Sequence, residues 1–302
     1  MAGDTNWPNV ALLLHGEGSN GGTVFTDSSA NAGTLTKTGS IVTSTAQALY
    51  GSSSISVPSA SGQKLQMPNT SAFKASGTSW ALEMAVYCTA YSANKVLFDS
   101  NNDSSNTTGF SWYIGSDGKV RVYQGTTSTD LGGTGAALTT SAWTRLALTW
   151  DGTTLRSYKG GTKEWETTSF ANPWSATHGA CWFGDKSATP AQCLNGYADE
   201  VRFTKGAARY TGSSYSLDSQ AFLERAGEVS GVVRNSAGAL CARTVRAYRR
   251  SDGALIASTT SNGTTGAYSM SFQTLDELSI VALDDQTSGT YYNDQIIRVI
   301  PA

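Results

Sequence analysis

The sequence predicts an all-β chain, and three observations lead to that prediction. Short runs of alternating apolar and polar residues recur along the chain, and none of them follows a helical period. Glycine contributes 32 of the 302 residues, as many tight turns would require. Only 15% of the residues are charged while 10% are aromatic, the opposite of the balance found in disordered chains. We therefore expect antiparallel sheets.

The first three strand candidates differ in pattern. Val10–Leu14 is a continuous apolar run, as expected for a strand that is buried on both faces. Residues 52–57 alternate between apolar and polar side chains, and residues 80–87 alternate again. In the latter run Leu82, Met84 and Val86 share one face. The other face has Glu83 and Tyr87 together with two alanines, Ala81 and Ala85.

A hairpin over residues 143–161 is the clearest unit of the sequence. Its first strand alternates, the Asp151-Gly152 pair turns the chain, and residues 155–159 return. The other strand candidates are residues 96–98, 110–114, 120–123, 180–184 and 196–203. Strand signals at such short intervals are typical of a β-sandwich or jelly roll.

A change of composition near residue 224 predicts a domain boundary. All eight tryptophans lie before it, and no lysine follows it. The remaining residues alternate in four short runs, at 229–233, 245–248, 267–270 and 279–283. About 75 residues in this pattern are enough for one small antiparallel sandwich. We therefore predict two domains, residues 1–223 and residues 224–302.

The first domain resembles the laminin-G/concanavalin-A-like jelly rolls. Residues 143–161 (WTRLALTWDGTTLRSYKGG) are similar to the central hairpin of that family, and residues 196–203 (GYADEVRF) resemble its closing strand. Three further segments are similar to bacteriophage proteins of this type: residues 10–16 (VALLLHG), 25–29 (FTDSS) and 204–210 (TKGAARY). The resemblance extends over residues 6–222 and implies a concanavalin-A-like jelly-roll sandwich.

The second domain resembles the carboxypeptidase-regulatory-like or transthyretin-like modules. Residues 230–238 (SGVVRNSAG), 245–248 (VRAY) and 266–269 (GAYS) carry that similarity. The resemblance implies a small immunoglobulin-like β-sandwich with a structural or adhesive role.

Together the two resemblances imply a structural component of a tailed bacteriophage virion, exposed on the particle as a capsid decoration or a tail-associated protein. Its partners would be other virion proteins and host surface glycans, and it would be present in many copies or as a homo-oligomer. A receptor adhesin that binds carbohydrate and a glycan depolymerase are the two alternatives. Residues 1–4 lack the features of a signal peptide, so we expect synthesis in the host bacterial cytoplasm and assembly into the virion.

Catalytic residues are sparse, and we predict that the protein is not an enzyme. Jelly rolls of this family include glycoside hydrolases, whose E-x-D-x-E motif is absent here. Glu164 and Glu166 are spaced like a carboxylate pair, but an exposed strand with solvated acids is the preferred interpretation. The only histidines are His15, interpreted as a hydrogen-bonded structural residue, and His178. The adjacent acids Asp199 and Glu200, in the closing-strand motif, are likewise interpreted as structural.

Calcium is the one metal that the sequence suggests. Asp99, Asn101 and Asp103 place oxygen ligands at alternate positions of a loop, as hard cations require. The rest of an EF-hand signature fails, because Ser104 and Phe110 occupy positions that would need other residues. A loop rich in Asx turns is the preferred interpretation, with calcium as the alternative and no other cofactor expected.

Glycan contacts would come from aromatic side chains. Tyr113, Tyr123 and Tyr158 lie on predicted strands, whereas Trp165 and Trp174 lie in loop-like sequence. We take these five as the candidate glycan-binding residues. The tryptophans inside alternating strands are expected in the core: Trp80, Trp143, Trp150 and Trp182.

The net charge and the length of the apolar runs exclude two kinds of partner, nucleic acid and the membrane interior. A net charge of −2 gives no basic face for nucleic acid, and no apolar run is long enough to insert in a membrane. Four arginines cluster in the second domain: Arg243, Arg246, Arg249 and Arg250. A solvated edge strand with carboxylate partners is the preferred interpretation, over a phosphate-binding patch.

The cysteines are expected as buried thiols, with a Cys181–Cys193 bridge as the alternative.

Overall fold

The computed structural model describes residues 3–100, 108–174, 179–184, 192–235, 237–272, 276–283 and 295–301, with the backbone alone for 295–298. The described residues form 21 strands and two short 3-10 helices, at Trp7–Asn9 and Ser71–Phe73. The all-β prediction is confirmed. Contacts along the chain divide it into two compact units.

The larger unit is Asn9–Phe222, and it contains two antiparallel sheets. One sheet has eight strands in the order β13-β12-β11-β6-β15-β4-β3, with β1 also paired to β15. Its strands are β1 (Val10–Leu14), β3 (Val42–Ser44), β4 (Ser54–Val57), β6 (Trp80–Cys88), β11 (Trp143–Trp150), β12 (Leu155–Lys159), β13 (Thr162–Thr167) and β15 (Gly196–Lys205). Val10–Leu14 is buried at all five positions, as its apolar run predicts.

The second sheet has seven strands in the order β10-β9-β8-β7-β14-β5-β2. They are β2 (Thr36–Thr38), β5 (Lys64–Gln66), β7 (Lys95–Asp99), β8 (Phe110–Ile114), β9 (Val120–Gln124), β10 (Thr129–Gly132) and β14 (Cys181–Trp182). Apolar side chains from both sheets, such as Leu82 and Trp112, belong to one hydrophobic cluster. The unit is therefore a two-sheet sandwich around a single core.

The FTDSS segment binds the first strand through Asp27. Its buried carboxylate accepts hydrogen bonds from the backbone amides of Leu13 (3.0 Å), Ser29 (2.9 Å) and Gly33 (2.7 Å). The Ser29 hydroxyl donates in turn to the Ala11 carbonyl at 3.1 Å. Side chains of this segment thus provide hydrogen-bond partners for backbone groups along one edge of β1.

The hairpin of β11 and β12 is present as expected, but its connection is longer than the Asp-Gly pair. Trp150 pairs with Leu155, so four residues from Asp151 to Thr154 form the loop. Asp151 Oδ1 accepts from the amides of Thr153 (2.9 Å) and Thr154 (2.8 Å), and Gly152 has a positive φ of 103°. The Asx turn and the glycine together reverse the chain.

The smaller unit comprises Met1–Pro8 and Leu223–Ala302. A two-stranded sheet pairs β16 (Gly227–Val232) with β19 (Ala267–Phe272). A four-stranded sheet has the order β18-β17-β20-β21, from β17 (Thr244–Arg249), β18 (Leu255–Thr260), β20 (Leu278–Ala282) and β21 (Gln295–Val299). The buried members of its own small cluster include Val245, Phe272 and Ile280. An immunoglobulin-like identity for this unit stays a prediction.

Two expectations about this unit need correction. Trp7 groups with it, although the predicted boundary near residue 224 places every tryptophan in the first domain. β17 is not an edge strand, because it pairs with β18 on one side and β20 on the other. The expected carboxylate partners are confirmed for Arg249, which contacts Asp252 at 3.2 Å, and for Arg250, which contacts Glu277 at 3.3 Å.

Candidate functional site

The eight-stranded sheet carries its polar side chains on the face turned away from the core. On β6 the core cluster takes Leu82, Met84 and Val86, so that Glu83 and Tyr87 lie on the opposite, outward face. Residues 206–222 follow β15 and cover part of this face: the Tyr210 carbonyl accepts from Thr149 Oγ1 at 2.8 Å, and the Gly212 carbonyl accepts from Tyr158 Oη at 2.8 Å.

A buried ion cluster lies under that covering segment. Arg202 donates to both oxygens of Glu83, from Nε at 2.7 Å and Nη2 at 2.8 Å, while Arg209 Nε lies 3.2 Å from Glu83 Oε2. The Tyr210 hydroxyl adds a bond of 2.6 Å. Burial raises the pKa of Glu83, but the two guanidinium charges outweigh it and lower the pKa to about 2. The cluster holds the segment on the sheet.

The acids of the closing strand bind backbone amides, as the sequence predicts. Asp199 Oδ2 accepts from Leu49 (2.8 Å) and Tyr50 (3.2 Å), and burial raises the pKa of Asp199 to about 7. A bulge follows, with Glu200 at a positive φ of 51°. Glu200 accepts from the amide of Phe222 at 2.6 Å, and its other oxygen lies 2.7 Å from His15 Nδ1. These residues are structural.

Three aromatic side chains lie in one line across the outward face. Trp143 on β11 pairs directly with Tyr87 on β6, which pairs directly with Tyr197 on β15. Their rings make edge contacts, with centroids 5.6 Å apart between Trp143 and Tyr87 and 5.9 Å apart between Tyr87 and Tyr197. All three are half-buried and lie outside the core cluster. We call these three residues the aromatic row.

A pocket of about 450 Å³ opens beside one end of the row. We call it the Trp143 pocket, and its lining includes Tyr50, Leu138, Trp143, Arg145, Lys159 and Asp218. Arg145 lies two residues after Trp143 on β11 and therefore on the same outward face. Its guanidinium lies 5.1 Å from the ring centre of Tyr50 and 5.0 Å from that of Phe222. The pocket thus combines aromatic rings with a cation.

Comparison with known proteins assigns the family. The model of a laminin-G family, described as "Concanavalin A-like lectin/glucanases superfamily", matches residues 59–209, which is half of the chain. The chain belongs to the concanavalin A-like lectin/glucanases superfamily. The matched residues lie within Asn9–Phe222, so the two-sheet sandwich is the concanavalin A-like domain. No curated protein matches the chain.

Solved structures share the fold of this domain at low sequence identity. Domain 4 of the extracellular arabinanase AbnA from Geobacillus stearothermophilus, solved with arabinotriose, is 18% identical with a TM-score of 0.52, over 66% of this chain and 94% of that domain. The binding domain of Paraclostridial Mosquitocidal Protein 1 is 11% identical with a TM-score of 0.50, over 96% of this chain and 76% of that one. Both likenesses concern the fold alone.

Two candidate glycan-binding tryptophans lie in the core of the concanavalin A-like domain, which corrects the prediction of exposed loop positions. Trp165 is on β13, and its Nε1 donates to the Val120 carbonyl at 3.1 Å. Trp174 stacks on Phe203, with ring centres 5.4 Å apart. Each of the two is only 7% exposed, so neither presents a ring face to a ligand.

The three candidate tyrosines lie in different surroundings. Tyr158 is fully buried under residues 206–222, and Tyr113 is buried with its hydroxyl donating to Asp130 Oδ1 at 2.7 Å. Neither ring is available for stacking. Tyr123 is half-buried on β9 of the seven-stranded sheet, and a glycan contact there stays a prediction.

The calcium prediction is not settled by the described residues. Asp99 ends β7, is buried, and accepts a hydrogen bond from Ser111 Oγ at 2.7 Å. Asn101 and Asp103 lie outside the described residues, as does His178. Within the described ranges no three His, Cys, Asp or Glu side chains are grouped to hold a metal.

The carboxylate pair on β13 takes part in ion pairs. Glu166 is exposed and contacts Lys163 (2.9 Å) and Arg156 (3.2 Å). Glu164 is half-buried, with its side chain only 7% exposed, contrary to the expected solvated acid, and its Oε1 lies 2.6 Å from Lys159 Nζ. Both acids are thus held by cations.

No disulfide joins the four cysteines, as preferred from the sequence, and Cys241 is half-buried while the others are buried. In the part of the chain that the structure describes, no helix has the length and apolar character needed to cross a membrane.

Sequence reasoning missed the aromatic row and Arg145. Trp143 was expected in the core, yet it lies on the outward face, half-buried. The alternation of residues 143–150 does place Trp143 and Arg145 opposite Leu146, and that was the available signal. The alignment of Trp143 with Tyr87 and Tyr197 depends on strand pairing between segments that are distant in sequence.

Proposed function

We propose that the protein is a non-catalytic glycan-binding protein whose concanavalin A-like domain binds saccharide along the aromatic row and in the Trp143 pocket. The observation that carries this proposal is the alignment of three half-buried aromatic side chains across three neighbouring strands, beside a pocket of about 450 Å³.

The physical argument concerns the two kinds of surface that a sugar presents. The C–H faces of a sugar ring are apolar and pack on aromatic rings, while its hydroxyls need polar partners nearby. Adjacent strands are about 4.8 Å apart, so the row extends over about 10 Å, which suits an extended chain more than a single small molecule. Tyrosine hydroxyls and the polar lining of the pocket supply the hydrogen-bonding groups.

Fold similarity supports the same proposal. The arabinanase domain that shares this fold was solved in complex with arabinotriose. The superfamily description names lectins as well as glucanases, and the E-x-D-x-E motif of the hydrolases is absent from this chain. Glycan binding without hydrolysis is the function that fits both facts.

A glycan array followed by calorimetry tests the proposal. The wild-type protein should bind a defined set of glycans, and Trp143→Ala should weaken that binding about tenfold or more, because a stacked aromatic ring is lost. Tyr123→Ala tests the remaining candidate residue, on the other sheet, and should leave the affinity unchanged if the site is the aromatic row. Loss of affinity in Tyr123→Ala alone would move the site to the seven-stranded sheet. No binding by the wild type, with or without calcium, would refute the proposal.

We further propose that this protein is a surface component of a tailed bacteriophage virion, as a capsid decoration or a tail-associated protein that contacts host glycans. The support is the resemblance of residues 10–16, 25–29 and 204–210 to phage proteins of this type. Mass spectrometry of purified particles should detect the protein, and its absence from particles would reject the placement. Copy number by cryo-microscopy then separates a decoration, with hundreds of copies, from a tail-tip protein, with a few.

A further inference from the structure

We propose that the Trp143 pocket selects saccharides that carry a carboxylate, and that Arg145 is the residue that binds it. This inference rests on the proposed glycan-binding function and names the class of sugar. It is carried by the chemistry of one guanidinium group and by the charges around it.

Arg145 is a buried cation without an acidic partner. Only 9% of the residue is exposed, and it forms no ion pair with any carboxylate of the described residues. Its hydrogen-bond acceptors are the carbonyl oxygens of Asp218 and Gln220, at long distances of 3.4 and 3.5 Å from Nη2. Buried charges are ordinarily paired, so this guanidinium is suited to an anion from outside the chain.

The other arginines of the same domain show the contrast. Arg202 binds Glu83 through two hydrogen bonds, Arg156 contacts Asp151 at 2.5 Å, and Arg121 contacts Asp117 at 2.6 Å. Each of them has a carboxylate within direct contact. Arg145, which lines the pocket, does not.

The surroundings hold the guanidinium in place. The rings of Tyr50 and Phe222 lie within about 5 Å of its central carbon, and the Tyr50 hydroxyl donates to the Asp218 carbonyl at 2.7 Å. A guanidinium has five N–H donors, and only Nη2 is engaged here. The N–H groups on Nε and Nη1 remain, and either can donate a charge-assisted hydrogen bond to a carboxylate.

Two other charged side chains line the pocket. Lys159 adds a cation, although its Nζ also contacts Glu164 Oε1 at 2.6 Å. Asp218 is exposed at the rim and opposes an anionic ligand. Because Asp218 is solvated while Arg145 is buried, the cation interacts more strongly with a group inside the pocket.

Trp143 and Arg145 together suit one acidic sugar residue. They are separated by two positions on β11, so their Cα atoms are about 7 Å apart on the same face. The indole would contact the sugar ring while the guanidinium binds the carboxylate attached to it. The pair therefore recognises a ring and its charge at the same time.

The test uses an array of carboxylated saccharides printed beside their carboxyl-reduced counterparts, followed by calorimetry on the best pair. The wild type should bind the carboxylated form about tenfold or more tightly, as expected for a charge-assisted hydrogen bond. Arg145→Gln should lower that affinity to the level of the reduced form and leave the reduced form unchanged. Equal binding of both forms by the wild type would overturn this inference and leave glycan binding intact. Binding of neither form would overturn both.

Two further variants keep the test independent of the folding of Arg145→Gln. Asp218→Asn removes the opposing charge at the rim and should raise the affinity for the carboxylated form by up to about fivefold. Arg156→Gln removes an outward cation of the same sheet that is already paired, and should change neither affinity. An unchanged affinity in Asp218→Asn together with a tenfold loss in Arg156→Gln would contradict the proposed role of the pocket.

Discussion

Glu83 connects single-residue chemistry to the stability of the concanavalin A-like domain. Its carboxylate is buried with two arginines and a tyrosine, and its pKa is lowered to about 2. A lowered pKa means that the folded state favours the ionised acid. The contribution of this group is complete above the ordinary value of 4.5 and is lost as the pH falls toward 2.

We expect the free energy of unfolding of the wild type to fall by about 3 kcal/mol from this group alone as the pH is lowered from 4.5 to 2. Glu83→Gln cannot titrate and should lack this component, although it is less stable at neutral pH because the arginines lose their partner. Urea unfolding at several pH values measures the difference between the two proteins. A constant difference across that range would show that Glu83 does not remain ionised in the folded protein.

Among single residues, the sequence predicted the role where a recognisable motif surrounds the residue. It did not predict the role where burial depends on the whole fold. His15 follows a buried strand, while Asp199 and Glu200 lie in the closing-strand motif, and a structural role was expected for all three. Trp165 and Trp174 were expected at the surface because they lie in loop-like sequence, yet the fold buries both. A loop-like sequence does not determine what covers a side chain in three dimensions.

At the scale of elements, the β11–β12 hairpin depends on Asp151. Its carboxylate accepts from the amides of the loop and contacts Arg156 at 2.5 Å. Side-chain groups thus replace the cross-strand hydrogen bonds that the four loop residues cannot make.

Asp151→Ala should therefore lower the free energy of unfolding by about 1–2 kcal/mol, because both the Asx turn and the ion pair are removed. Asp151→Asn retains an oxygen for the loop amides and should lose about half as much. Chemical denaturation of the three proteins provides the comparison. An equal loss in both variants would assign the whole effect to the ion pair.

Strand prediction worked best for long, regularly alternating segments. The hairpins of β8 with β9 and of β11 with β12 were expected, together with the closing strand β15. The strands β2, β3, β5 and β10 have only three or four residues each, and β18 (LIASTT) does not alternate between apolar and polar residues. Segments this short do not show an alternation of apolar and polar residues, so whether they form strands depends on the strands beside them.

At the scale of the whole molecule, the apolar side chains of the described residues form two hydrophobic clusters. One lies within Asn9–Phe222, and the other lies among the residues of the smaller unit. Seven of the eight tryptophans belong to the larger unit, with Trp7 in the smaller one. Two separate cores are the usual basis for two cooperative folding units.

We expect thermal unfolding followed by tryptophan fluorescence and by far-ultraviolet circular dichroism to give different curves. Fluorescence reports mainly the larger unit, whereas dichroism reports the strands of both. Calorimetry should resolve two transitions, and Glu83→Gln should shift only the one that fluorescence follows. Coincident curves with a single calorimetric peak would instead establish one cooperative unit.

Strand β15 imposes an order on biosynthesis. It pairs with β1, β4 and β6, which precede it by more than a hundred residues. Lys205, the last of its ten residues, pairs with Trp80, the first residue of β6. While a ribosome makes the chain, one edge of each earlier strand stays unpaired until this late segment emerges. More than a hundred residues are thus added between β6 and β15 while apolar strands stay open, and we expect chaperones to bind these strands during that interval.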